Sequence, residues 1–299
     1  MNVHATRFCP GLRSCLWVLA LTGLLAGCAT PAPPPPTAAT TYQPQRGQMG
    51  KDVMWLPTSA HLVKTMLSAA QVTPQDLVVD LGAGDGIIPI AAAQQFGARA
   101  LGIEYNAKLA AYAQQQAERA GVADRARIIQ GDIFQEDFSA ATVVTMYLLP
   151  ELNLQLRPTL LAMKPGTRLV SHAFDMGDWV PDQILGTERE RAFLWIVPAP
   201  LAGSWVLRDQ QGQALGTFEL QQRFQQVGGR MTLPATDRIP QTATQWLLGA
   251  RVNGRHLRFQ YIGRDDGLHE VSLSLTDTQL QGDMTVHGAT QAVTASRAP

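Results

Sequence analysis

Apolar positions recur along this chain at two spacings: near 3.6 residues through its middle, and 2 in its last third. Over residues 58–71, Leu62, Val63, Met66 and Leu67 fall on one helical face, with Thr58 as the predicted cap. Val78, Val79 and Leu81 then form a short apolar run suited to a strand buried on both faces. The pattern continues with a helix over 87–96, a strand over 100–104, and an Ala/Gln-rich helix over 107–120 ended by Gly121. Next come strands over 127–130 and 141–147, a helix over 152–163, and a strand over 167–174 after the Pro165-Gly166 break. Strands alternating with helices call for a parallel, Rossmann-like sheet with helices on both faces. Residues 192–197 predict one more strand, and Pro198 and Pro200 mark a boundary.

Beyond residue 200 the period is two. Phe218, Leu220 and Phe224, then Leu257, Phe259 and Tyr261, then Val271, Leu273 and Leu275 share one face of successive segments. Gly228-Gly229, Asn253-Gly254 and Asp266-Gly267 are the predicted hairpin turns. Residues 201–299 therefore read as a smaller antiparallel all-β domain, a barrel or a sandwich, either packed or hollowed into a ligand cavity.

The whole chain has 299 residues, 45% hydrophobic and 16% charged, enough for two cores, with residues 51–200 and 201–299 as the expected domains. Its formal net charge is zero and no long basic run interrupts it, so no nucleic-acid partner is expected. The first residues have another pattern: Arg7 and Arg13 precede an apolar run over 16–26 that ends in Leu25-Ala26-Gly27-Cys28. This run is short for a bilayer span and reads as a secretory signal peptide over 1–28. Leu-Ala-Gly-Cys resembles a bacterial lipobox, which implies lipidation at Cys28, removal of Cys9 and Cys15, and an envelope protein tethered to the membrane. Ala29 resembles outer-membrane sorting, with the body facing the periplasm. A cytoplasmic location is the expectation if the signal is not used. Residues 29–50, with prolines at 33–36, read as an extended linker.

The chemistry centres on Asp80-Leu81-Gly82-Ala83-Gly84-Asp85-Gly86, where an apolar strand ends in an acid and a glycine turn feeds a helix. A dinucleotide turn reads G-x-G-x-x-G and delivers a pyrophosphate to the helix N-terminus, but here Ile87 stands where the third glycine would fall. Asp80 and Asp85 bracket the turn with negative charge, which suits a cation. S-adenosylmethionine carries a sulfonium and an ammonium, and the carboxylates and carbonyls around Gly82 and Gly84 can hold its methionine end. Glu104, at the end of the next strand, is placed for the ribose hydroxyls. Asp132 can accept from the adenine amino group, with Ile133 against the ring.

Residues 52–199 resemble a class I S-adenosylmethionine-dependent methyltransferase. The strings DLGAGDG, GIEYN, GDIF, VVTMYLLPELN and LRPTLLAMKPGTRLVSHAFDMGDW are similar to bacterial relatives of the mitochondrial protein-lysine methyltransferases that act on an ATP synthase subunit and the adenine nucleotide translocase. Those relatives generally carry an arginine after the glycine run, whereas this chain has Ile87. The resemblance implies methyl transfer to a protein amine such as lysine.

The acceptor is expected at the ends of the fourth and fifth strands, where Tyr147 lines a slot or fills the core, and Glu151 or Asn153 orients an amine or caps a helix. His172 is a general base or a structural histidine. The Trp55-Leu56-Pro57-Thr58 run covers the cofactor as a lid or staples the first helix. The histidines lack paired metal-ligand spacing, so no metal is expected. The alternative to an enzyme is an envelope lipoprotein that retains this fold and uses it, or the β domain, for binding.

Overall fold

A computed structural model describes residues 42–51 and 54–299, and residues 42–299 form one compact unit. The expected signal peptide and Cys28 lie outside the described residues.

The first half builds a seven-stranded sheet in the order β3-β2-β1-β4-β5-β7-β6. Its parallel strands are β1 (Leu77–Leu81), β2 (Arg99–Glu104), β3 (Ala126–Gln130), β4 (Val143–Met146) and β5 (Arg168–His172). Two antiparallel strands, β6 (Gln183–Gly186) and β7 (Arg191–Ile196), extend it beyond β5. The helices are α1 (Ala60–Ala69), α2 (Ile87–Phe96), α3 (Ala107–Arg119) and α4 (Pro150–Leu161). One apolar cluster joins the inner faces of α1, α2 and α3 to the sheet, and a second packs Leu156 and Leu160 of α4 with Trp179 and Trp195 against the other face. Between β1 and β4 the strand order changes direction, which opens a crevice at the carboxyl ends of both strands.

Several local features differ from the sequence reading. Ser59, not Thr58, caps α1: its hydroxyl accepts from Leu62 N, while the Thr58 hydroxyl lies 3.0 Å from His172 Nδ1. The linker expected up to residue 50 ends earlier. Tyr42 packs edge-on against Tyr112, Gly47 N donates to Trp55 O, and Met49 pairs with Met54, so this segment is a strap folded onto the body.

The second half is a closed antiparallel barrel. Its strands are β8 (Gly203–Arg208), β9 (Ala214–Arg223), β10 (Gln226–Leu233), β12 (Leu248–Asn253), β13 (His256–Ile262), β14 (Leu268–Leu275), β15 (Leu280–Val286) and β16 (Ala289–Arg297), with the short β11 (Ala243–Trp246) beside β10. β16 returns to pair with β8, which closes the ring. Trp205, Phe218, Phe259, Tyr261, Leu273 and Met284 pack in its interior, so side chains fill the centre. Asn253-Gly254 and Asp266-Gly267 do turn hairpins. Gly228 and Gly229 lie instead inside β10, where a Cβ on Gly229 would meet Glu219 O at 2.1 Å. The turn before β10 is Phe224-Gln225, and Phe224 leaves the barrel face for the α/β body, where it stacks on Trp179.

Candidate active site

Three glycines, Gly82, Gly84 and Gly86, adopt positive φ between the end of β1 and the start of α2. Gly82 N and Ala83 N both donate to Ile103 O of β2, which folds the turn against the neighbouring strand. At Gly84 a Cβ would sit 2.5 Å from the Trp55 indole nitrogen, so the strap's tryptophan lies directly on the turn.

The acids converge here as the sequence suggests. Glu104 closes β2 with one carboxylate oxygen accepting from Gly84 N at 2.9 Å and the other from Asn106 N at 2.8 Å. Asp80 is buried, and Thr145 of β4 donates to it at 2.6 Å. Burial pushes the Asp80 carboxyl up to about 7, helped by the charges of Asp85 and Glu104 and opposed by the Thr145 hydrogen bond. Burial also raises Asp85 and Glu104. Three carboxyls gathered on one turn and held above their usual range mark it as a candidate site for a cation.

A cavity of about 350 Å³ opens over this turn. Asp80, Gly82, Gly84, Asp85, Glu104, Asp132, Ile133 and Tyr147 all line it. Asp132 faces the strap: Lys51 Nζ donates to it at 2.9 Å and holds its carboxyl below the usual range, with Phe134 N adding a second hydrogen bond. Lys51 also sits over the Tyr105 ring, 5.0 Å from its centroid.

Of the acceptor-side residues, Tyr147 lines the cavity, and Glu151, Asn153 and His172 take the structural alternatives. Glu151 and Asn153 do not line the cavity. Glu151 is exposed in the first turn of α4, and Asn153 is fully buried, its amide donating to Ser171 Oγ, Phe174 O and Asp175 O. Their helical register turns Asn153 under the sheet end rather than toward the crevice. His172 also stands outside the lining, its ring 3.8 Å from that of Tyr147. Burial lowers its pKa, the Glu190 charge opposing, so it is neutral near pH 7 and braces Tyr147. The sequence reading missed Lys51, Leu149 and Phe174, which do line the cavity. Phe174 lies 6.3 Å from Tyr147 with nearly parallel rings. Only the Trp55-Leu56-Pro57 run, an apolar stretch just before a helix, signalled that the strap belongs to the site.

The ANTKMT methyltransferase domain family model matches residues 80–183. A protein-lysine N-methyltransferase of Saccharolobus islandicus (strain REY15A) is 44% identical over 138 residues, 46% of this chain and 86% of that protein. The adenine nucleotide translocase lysine N-methyltransferase of Mus musculus is 33% identical over 147 residues, 48% of this chain and 63% of that protein. Among solved structures, an RNA methyltransferase from Salinibacter ruber in complex with S-adenosyl-L-homocysteine is 46% identical, with a TM-score of 0.48, covering 49% of this chain and 96% of that one.

Proposed function

We propose that this chain, which belongs to the ANTKMT methyltransferase family of class I S-adenosylmethionine-dependent enzymes, transfers the cofactor's methyl group to the side-chain amine of a protein lysine. The observation that carries the reading is the convergence of Asp80, Asp85 and Glu104 on one glycine turn beneath a cavity. Positive φ at Gly82 and Gly84 turns the main chain sharply under the cavity, and at Gly84 a Cβ would collide with Trp55. Glu104 is assigned to the ribose hydroxyls, Asp132 and Ile133 to the adenine, and Asp80 and Asp85 to the charged methionine end.

Bound there, S-adenosylmethionine supplies a methyl group activated by its sulfonium. The chain's part is to bring the amine in line with that methyl and to keep water away. Tyr147, Leu149 and Phe174 give the acceptor side an aromatic and aliphatic wall. Such a wall keeps water from the amine, whose neutral form is the one that can attack. His172, fixed by Thr58, serves by keeping the Tyr147 ring in place. The lysine acceptor is supported by the relative from Saccharolobus islandicus, whose name states that substrate.

The test is transfer of a tritiated methyl group from S-adenosylmethionine to protein extracted from cells lacking this chain. Label should resist ribonuclease, yield to protease, and vanish when lysines are first blocked by acetylation, which leaves no nucleophilic nitrogen on the side chain. Label that survives the blocking overturns the lysine assignment.

The remaining part of the proposal is an envelope location, with Cys28 lipidated and the body held outside the cytoplasm, resting on the lipobox alone. Metabolic labelling with palmitate should mark the wild type and not Cys28→Ser. An unlabelled wild type overturns lipidation at Cys28.

A further inference from the structure

The family model ends at residue 183, so the barrel that follows has no role assigned by it. The barrel engages the α/β body through the β9–β10 turn, where three consecutive side chains reach the loop that leaves β5. Gln225, only 6% exposed, accepts from Trp179 Nε1 at 2.9 Å and donates to Val180 O at 2.6 Å. An indole N–H only donates and a carbonyl only accepts, so a side chain that meets both at once must carry both functions, as an amide does. Phe224, at φ +55°, stacks on Trp179 with centroids 5.7 Å apart and planes 17° from parallel. Arg223 and Arg157 of α4 clasp Asp178 from two sides.

The same loop is held from the other side by α4. Asn153 bonds Phe174 O and Asp175 O, and Arg157 donates to Met176 O at 2.8 Å. Where the loop begins, Ala173 takes φ +66°, and Phe174 N bends back to donate to His172 O at 2.8 Å. A non-glycine residue keeps that conformation only where its surroundings impose it. The residue it presents, Phe174, lines the cavity.

We propose that the β9–β10 turn is the positioning element of the acceptor wall: Gln225, with Arg223 and Phe224, fixes the loop over residues 173–182 and so keeps Phe174 in the cavity. The barrel thereby serves methyl transfer without touching the reacting atoms. This rests on the reading of the cavity as the methyl-transfer site and adds to it the element that shapes its wall.

The test uses the full chain and compares Gln225→Leu, similar in size but without donor or acceptor, with Arg223→Ala and Arg223→Lys. Hydrogen–deuterium exchange read by mass spectrometry should accelerate from Phe174 through Asp182 in Gln225→Leu and Arg223→Ala, with β13, β14 and residues 78–88 unchanged. Sinefungin, a cofactor analogue, should bind within about twofold of wild type by calorimetry, since its site is separate from the turn. Methylation of the protein extract at saturating cofactor should fall about tenfold or more in Gln225→Leu, because a displaced wall misaligns the amine. Arg223→Lys should keep wild-type exchange and rate.

Faster exchange confined to Trp179 and Val180 would overturn the proposal, as would an undiminished methylation rate in Gln225→Leu or loss of sinefungin binding together with loop protection. A wild-type chain that labels no protein overturns the lysine reading instead, and the exchange pattern at Phe174 still decides whether the turn positions the wall.

Discussion

Asp80 shows how much a single buried carboxyl can govern. Its ordinary value of 3.8 is raised to about 7, chiefly by burial, so between those values the folded chain holds a proton that the unfolded chain has lost. Asp80 therefore subtracts stability as pH rises through that window, and the loss levels off above it. A bound cation reverses the preference for the protonated form. Binding of S-adenosylmethionine should release a proton at pH 6 and tighten about tenfold between pH 6 and 8. Calorimetry in buffers of different ionisation heat measures both, and the difference from Asp80→Asn isolates this carboxyl from the titration of the ligand's own amine. Equal pH dependence in the two proteins would remove Asp80 from the site. Glu104 has two duties, since the oxygens assigned to ribose also brace Gly84 and Asn106. Glu104→Gln should keep part of that bracing and weaken binding, while Glu104→Ala should lose about 1.5–3 kcal/mol of cofactor affinity. Unchanged affinity in a folded Glu104→Ala would refute the assignment.

Elements were legible in the sequence where punctuation is local. α2 runs from Ile87 to Phe96 as expected because Gly86 and Gly97, both at positive φ, bound it within the chain itself. Features that depend on distant partners were not legible. Two adjacent hydroxyl residues precede α1, and only the position of His172 decides that Ser59 caps while Thr58 turns away. Ser59→Ala should cost about 1 kcal/mol in urea unfolding, and Ser59→Thr, which keeps the oxygen, should restore most of it. No loss in Ser59→Ala would return the cap to Thr58. β6 escaped notice as a four-residue edge strand with Ile184 facing outward, which leaves no alternation to read. Gly228-Gly229 looked like a turn because the sequence does not show how closely β9 passes over β10. Asp80 and Glu104 were legible since each ends an apolar run, and Asp85 since it stands in the glycine turn. For Asn153, Glu151 and His172 the sequence left a catalytic and a structural role open, and helix register and ring stacking, which packing sets, place all three outside the cavity lining.

At the scale of the whole molecule, no described residue beyond Phe174 lines the cavity, yet Trp179 is wholly buried and its indole N–H is bonded by Gln225 of the barrel. A chain ending near Pro200 should therefore still bind sinefungin. It should also unfold at lower temperature, bind an apolar dye through the uncovered Trp179, and methylate at least about tenfold more slowly. Full-rate methylation by that fragment would leave the barrel without a part in the reaction.

The pairing of β16 with β8 carries a further consequence, one of timing. Every other barrel strand lies between these two in the chain, so the ring cannot seal until its last strand has been synthesised. The cofactor turn is complete long before that. Without β16, β15 and β8 would each present an unpaired edge. Loss of the last strand therefore opens the ring at two edges, each free to pair with another chain.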